Sequence, residues 1–121
     1  MLHIPDEEHN LQVACVNWFR LQFPKHFHNL FAVPNGGGRT PSQGKRLKDE
    51  GVLAGVSDLI LLKSNRFYGA LLIEMKARKG RQKPEQREWE TSVTADGCYK
   101  YVICRSFEDF QREIKDYLKN C

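Results

Sequence analysis

The segment GVSDLILLKSNRFYGALLIEMK, residues 55–76, contains two short apolar runs separated by polar residues. The runs are Leu59 to Leu62 and Ala70 to Ile73, with the polar stretch Ser64-Asn65-Arg66 between them. Apolar runs of this length on either side of a polar turn are typical of two paired antiparallel strands. The segment therefore predicts a β-hairpin.

The register of this hairpin determines which charged side chains meet. If Lys63 faces Gly69 across a five-residue loop, Asp58 lies directly opposite Glu74 on one face of the sheet. Since side chains alternate along a strand, Lys76 lies on the same face as Glu74. Burial of unpaired carboxylates is costly, and two neighbouring carboxylates repel each other unless a cation lies between them. A hard divalent metal ion with oxygen ligands would resolve both problems, so the hairpin predicts a metal site.

Length and composition fit one globular domain, which we expect to span residues 1–121. No apolar run approaches the roughly 20 residues that cross a bilayer. The first eight residues lack the basic start and the apolar centre of a signal peptide. The four cysteines show neither zinc-binding spacing nor the density of a disulfide scaffold. We therefore expect reduced thiols, a cytoplasmic location and no membrane association.

The basic residues are unevenly distributed, although the formal net charge is only +4. One cluster contains Lys76, Arg78, Lys79, Arg81 and Lys83, and another contains Arg39, Lys45, Arg46 and Lys48. A basic rim around an acidic metal site suits a phosphodiester substrate. Solvated loops rich in Lys and Arg would have the same composition, so the clusters alone do not decide between the two.

Helical and strand patterns alternate along the chain in the order α-β-α-β-β-α-β-α. The predicted elements are a helix over residues 6–23, a strand over 29–33, a helix over 40–50, the hairpin, a helix from 84 towards 97, a strand over 99–104 and a final helix after 106. In the first helix, Glu8 projects from the same inward stripe as Leu11 and Cys15, one turn from Gln12. Because Glu7 also lies near that face, geometry does not choose between the two acids.

Six short motifs follow one another at compatible spacing. They are Glu8-x-x-x-Gln12, Pro34-Asn35-Gly36-Gly37, Leu47-Lys48-x-x-Gly51, Gly55-x-x-Asp58, Glu74-Met75-Lys76 and Pro84-Glu85-Gln86. In this order the chain resembles the virus-type replication-repair nuclease (VRR-NUC) domain, in its small stand-alone form from phages and bacteria. That family lies within the restriction-endonuclease-like PD-(D/E)XK nucleases. The resemblance implies an α/β fold with the core α-β-β-β-α-β, in which helices flank a mixed central sheet.

The resemblance also implies a metal site and its ligands. Asp58, Glu74 and the Met75 backbone carbonyl would bind Mg²⁺ or Mn²⁺. Glu8 would reach the site from the first helix and complete the acidic cluster, directly or through water. All are oxygen ligands, which these hard cations prefer.

Two further catalytic roles are implied by the resemblance. Lys76 would orient or help deprotonate the attacking water and offset charge on the phosphate. Gln86 would fix water or substrate from the helix that follows the hairpin. The chain departs from the family pattern at Ser57, where Pro is common, and at Lys83, where a Ser or Thr N-cap is usual. Neither change removes a residue that the chemistry needs.

DNA is the expected substrate, and we expect contacts from the glycine-rich turn and the basic clusters. The expected DNA-binding residues are Asn35, Gly36, Gly37, Arg39, Lys45, Lys48, Arg78, Lys79, Arg81 and Lys83. The residues show no helix-turn-helix, zinc finger or basic zipper, so phosphate and shape contacts should dominate over base reading.

The predicted function is a metal-dependent, structure-specific DNA endonuclease. The resemblance implies a homodimer acting on branched DNA such as Holliday junctions, in the host cytoplasm if the protein is phage-encoded. Three alternatives stay open at this point. They are a nuclease of the same family that cuts flaps or duplex without junction preference, a non-catalytic DNA-binding subunit, and an unrelated small α/β protein.

Overall fold

The structure is a computed structural model that describes residues 7–34 and 40–121. Its elements are α1 (Glu7–Gln22), a 3₁₀ helix (Pro24–Asn29), β1 (Leu30–Ala32), α2 (Pro41–Asp49), β2 (Leu59–Leu61), β3 (Ala70–Met75), α3 (Pro84–Thr94), β4 (Tyr99–Cys104) and α4 (Phe107–Lys119). This order confirms the predicted alternation of helices and strands. The 3₁₀ helix is an addition that the sequence pattern did not predict. Pro24 ends α1, and its fixed φ then suits the first position of the new helix.

The four strands form one mixed sheet in the order β1-β2-β3-β4. β2 is antiparallel to both β1 and β3, whereas β4 runs parallel to β3 after the crossover through α3. Leu59 pairs with Ile73 and Leu61 with Leu71, which confirms the predicted hairpin register. The strand boundaries differ from those predicted, because β2 ends at Leu61 and β3 continues to Met75.

The hydrophobic core lies on one face of the sheet, beneath α1 and α4. Alternate residues of β3, among them Leu71 and Ile73, point into it, together with Phe19 from α1 and Phe110 from α4. α3 lies against the opposite face, where the Trp89 ring contacts the ring of Tyr101. Glu74 is also buried on that second face, so the charged group lies next to a closed core rather than inside it.

The helix ends follow the capping rules that the sequence predicts. The Thr40 hydroxyl accepts a hydrogen bond from the Gln43 amide, and the Gln43 side chain accepts one from the Thr40 amide. α2 is followed by Gly51 at a positive φ of 105°. Ser106 caps α4 by accepting from the Asp109 amide. Within residues 7–34 and 40–121, no helix has both the length and the apolar character needed to cross a membrane.

Candidate active site

A cleft of about 750 Å³ opens where β2 begins and β3 ends. It is lined by Glu8, His9, Gln12, Val13 and Val16 of α1, by Ala32, Val33 and Pro34 at the end of β1, by Asp58, Glu74, Met75 and Lys76 of the hairpin, and by Lys83 and Gln86 at the start of α3. All five residues predicted to be catalytic therefore line one cleft. Their distances, burial and partners show what each can contribute.

Glu74 and Lys76 are the two buried charges of the cleft. Their side chains are only 2% and 6% exposed, and Lys76 Nζ lies 3.6 Å from Glu74 Oε2. Burial, followed by repulsion from Asp58, raises the pKa of the Glu74 carboxyl, although Lys76 opposes this shift. The raised pKa of about 8 means that Glu74 holds a proton at neutral pH unless a cation beside it favours the charged form.

The two oxygens of Glu74 have different surroundings. Oε2 accepts a hydrogen bond of 2.8 Å from Gln86 Nε2 and faces Lys76. Oε1 is buried and has no hydrogen-bond partner, and no other buried side-chain nitrogen or oxygen in the described part of the chain lacks one. Such an atom destabilises a fold unless it is satisfied, and here either a bound cation or a proton shared with the Asp58 carboxyl would satisfy it.

Asp58 is fixed by the end of β3. Its Oδ2 accepts a 2.7 Å hydrogen bond from the Met75 amide, and its backbone carbonyl accepts one from the Val33 amide. The hairpin register thus places the Asp58 carboxylate beside the backbone of Met75 and near Glu74. This is the juxtaposition that the pairing of Asp58 with Glu74 predicts.

Gln86 has two partners that sequence spacing alone does not reveal. Its Oε1 accepts a 2.7 Å hydrogen bond from the Lys83 amide, while its Nε2 donates to Glu74. The first bond satisfies an amide at the start of α3, where the Lys83 side chain makes no capping hydrogen bond. Gln86 therefore orients Glu74 from a helix end that it also stabilises.

Gly55 allows α3 to approach this closely. It has a positive φ of 95°, and a β-carbon built there would lie 2.7 Å from the Glu85 carbonyl carbon and closer still to its oxygen. Glu85 and Gln86 form the first turn of α3, so any larger residue at position 55 would push Gln86 away from Glu74. The glycine of the Gly55-x-x-Asp58 motif thus has a steric explanation.

The donor set fits a hard divalent cation. The Asp58 carboxylate, Glu74 Oε1 and the Met75 carbonyl are oxygen ligands of the kind that Mg²⁺ and Mn²⁺ prefer. A cation there would satisfy the buried Oε1 and offset the repulsion between the two carboxylates. In residues 7–34 and 40–121, no three His, Cys, Asp or Glu side chains lie close enough together to hold a metal ion. The site would therefore depend on two carboxylates and a carbonyl, with Glu8 farther away.

Glu8, rather than Glu7, faces the cleft. Glu8 and Gln12 both line it, whereas Glu7 does not. Glu8 is exposed in the first turn of α1 and is not part of a close acidic cluster with Asp58 and Glu74. This favours the water-mediated form of its predicted role.

The predicted DNA-binding residues fall into three groups. Lys83 lines the cleft, and Arg78, Lys79 and Arg81 lie in the exposed loop that follows Lys76. Lys45 and Lys48 lie on α2, outside the cleft, and Lys45 pairs with Asp49 at 3.0 Å. Asn35, Gly36, Gly37 and Arg39 lie outside the described residues.

Sequence reasoning missed two polar contacts next to the cleft. Gln82 Nε2 donates to Glu90 Oε1 at 2.7 Å and to the Tyr101 hydroxyl at 3.3 Å. Arg105 donates through Nη1 to the carbonyls of Ala77 and Gly80. These contacts join residues 8 to 28 positions apart and cross from one element to another, so local periodicity contains no signal for them.

Comparison with known proteins identifies the family and supports the fold. The family model of the VRR-NUC domain matches residues 6–108. A solved structure titled "VRR_NUC domain protein" is 24% identical, with a TM-score of 0.81, over 99% of this chain and 93% of that chain. At this identity the likeness shows the fold, and it confirms the mixed α/β architecture. No protein with a curated function matches the chain.

Replacing Gly55 with alanine tests the close approach of α3. Gly55→Ala should destabilise the fold and weaken metal binding, because the new β-carbon displaces the first turn of α3 and with it Gln86. Gly51→Ala is a matched control, since Gly51 also has a positive φ but no atom within 4 Å of the added carbon. Both variants should lose about 1–2 kcal/mol of unfolding free energy to backbone strain, and Gly55→Ala should lose more because its β-carbon also clashes with the Glu85 carbonyl. Only Gly55→Ala should reduce the metal affinity measured by calorimetry, and equal affinities in the two variants would contradict this role.

Proposed function

Since the chain belongs to the VRR-NUC domain family, whose members are nuclease-type domains, we propose that it is a metal-dependent DNA endonuclease acting on branched DNA. One observation carries the metal dependence. Glu74 is buried beside Asp58 and Lys76 with its Oε1 unpartnered, at the wall of an open cleft. A divalent cation would satisfy this oxygen and take the place of the proton that burial otherwise favours on Glu74.

Asp58, Glu74 and the Met75 carbonyl would hold Mg²⁺ or Mn²⁺. When bound, such an ion lowers the pKa of water and offsets negative charge on phosphate oxygens. Asp58 is held ready by the Met75 amide, and Glu74 by the Gln86 amide group. Little side-chain rearrangement is then needed on binding, which favours affinity.

Lys76 pairs with the buried Glu74 carboxyl at 3.6 Å. We assign it the orientation of the attacking water and the neutralisation of charge that builds on the phosphate. In the hydrolysis, the water oxygen bonds to phosphorus and one ester bond breaks. The proton lost by the water balances the one gained by the released hydroxyl. Glu8, exposed at the cleft mouth, would assist through water rather than by direct ligation.

Branched DNA is the substrate that we propose, and a homodimer is the proposed assembly. The exposed cations near the cleft suit phosphate contacts rather than base reading. Symmetric cutting of two strands at a Holliday junction requires two active sites related by a two-fold axis, which a homodimer supplies.

Asp58→Asn should abolish most cleavage while leaving the fold intact. The amide keeps the size of the carboxylate but lacks its charge, so metal affinity and rate should fall by roughly 100-fold or more. The measurement is cleavage of a labelled four-way junction and of linear duplex in Mg²⁺, Mn²⁺ or EDTA. Symmetric, metal-dependent cuts on the junction are expected from the wild type and not from the variant.

The other outcomes of this experiment separate the alternatives. Metal-dependent cutting of every substrate would keep the active site but discard the junction preference. DNA binding without cutting in any metal would indicate a non-catalytic subunit. Full activity in Asp58→Asn would remove Asp58 from the metal site.

Lys76→Ala should lower kcat by about 100-fold or more, the range lost with a proton-transfer or charge-stabilising group. Metal binding, followed by calorimetry, should persist because both carboxylates remain. The matched control is Lys119→Ala, an exposed lysine in the last turn of α4. An unchanged kcat in Lys76→Ala would exclude the lysine from the mechanism.

A further inference from the structure

Residues 77–83, called the basic loop here, begin directly after Lys76 and carry four exposed cations. These are Arg78, Lys79, Arg81 and Lys83. None of them takes part in an ion pair within residues 7–34 and 40–121. Their charge is therefore available to an external anion.

The second basic cluster behaves differently. On α2, Lys45 pairs with Asp49 at 3.0 Å, and Arg46 pairs with Glu50 at 3.4 Å. Each of these pairs offsets one positive charge within the helix. Both clusters contain predicted DNA contacts, but on α2 only Lys48 has no ion pair, whereas all four cations of the basic loop have none in the described residues.

The backbone of the basic loop is held at several points. Arg105 Nη1 donates to the Ala77 carbonyl at 3.2 Å and also to the Gly80 carbonyl, and the Gly80 amide closes a turn onto Ala77. Farther along, the Gln82 side chain donates hydrogen bonds to Glu90 and Tyr101. At the end of the loop, the Lys83 amide donates to Gln86.

Arg105 itself is fixed at the junction of β4 and α4. Its backbone amide donates to Asp109 Oδ2 at 3.0 Å, next to the Ser106 cap of α4. Its guanidinium group forms no ion pair in the described part of the chain and donates hydrogen bonds to two backbone carbonyls. An arginine used in this way orders the loop that contains those carbonyls.

We propose that Arg105 is a positioning residue for DNA binding. It holds the Ala77 and Gly80 carbonyls, so that the basic loop presents its cations to the phosphates beside the scissile bond. Binding then does not have to order a mobile loop, and the cations act together near the cleft. This inference rests on the proposed nuclease function.

The test compares three variants of the full chain. Arg105→Met keeps an unbranched side chain but removes the charge and the donors. Lys79→Met removes one cation of the basic loop, and Arg66→Met removes an exposed arginine in the β2–β3 connection. DNA affinity is measured in EDTA at several salt concentrations, and amide hydrogen exchange of residues 77–83 is measured without DNA.

Arg105→Met should speed amide hydrogen exchange in residues 77–83 several-fold. It should also reduce the magnitude of the slope of log K against log[salt] by more than about 0.9, the value of one phosphate contact. Lys79→Met should lower the slope by about one contact without a change in exchange. Arg66→Met should change neither. In cleavage assays, Arg105→Met should raise KM several-fold and change kcat less than twofold.

Unchanged exchange in Arg105→Met would overturn the proposal, as would a slope loss no larger than that of Lys79→Met. A fall in kcat at constant KM would also overturn it, since that would show an effect on the chemistry. If the wild type cuts DNA and Arg105→Met behaves like Arg66→Met, only this inference fails. If the wild type neither binds nor cuts DNA, the proposed function fails with it.

Discussion

The buried carboxylate of Glu74 is the constraint on which the arrangement of the cleft depends. It is almost fully buried, its pKa is raised to about 8, and only one of its oxygens has a hydrogen-bond partner. Three parts of the chain meet to hold it: the hairpin supplies Asp58 and Lys76, α3 supplies Gln86, and the conformation of Gly55 lets α3 come close. A stability role alone would favour an apolar residue at this position. Binding of a ligand explains why the fold keeps a carboxyl group here despite the unfavourable free energy of burying it.

Charge is distributed around this site in two tiers. Within the cleft, Lys76 Nζ lies 3.6 Å from the buried carboxyl of Glu74, and the carboxyl oxygens of Glu74 and Asp58 suit a metal ion. Outside it, the basic loop carries exposed cations without acidic partners, whereas the cations Lys45 and Arg46 of α2 are paired. The inner tier would act on the scissile phosphate and the outer tier on its neighbours. Attraction by the outer tier should weaken as salt is added, while the shielded inner tier should respond less.

Sequence reasoning succeeded where short-range rules determine the outcome. The apolar runs and the turn between them determine the hairpin register, and capping preferences determine the starts of α2 and α4. It did not find the bonds from Gln86 to Glu74 or from Arg105 to residues 77 and 80, because such contacts depend on how distant elements pack. It also could not choose between Glu7 and Glu8, since a small rotation of α1 about its axis decides which acid faces the cleft.

The most direct test of the central claim is a melting experiment on wild type and Glu74→Gln, with and without Mg²⁺ or Mn²⁺. The glutamine keeps the size of Glu74 but removes the charge that would hold the ion. If Glu74 is a metal ligand, the ion should raise the Tm of the wild type as its concentration increases and leave Glu74→Gln nearly unchanged. Equal shifts in both proteins, or no shift in the wild type at millimolar metal, would contradict the account.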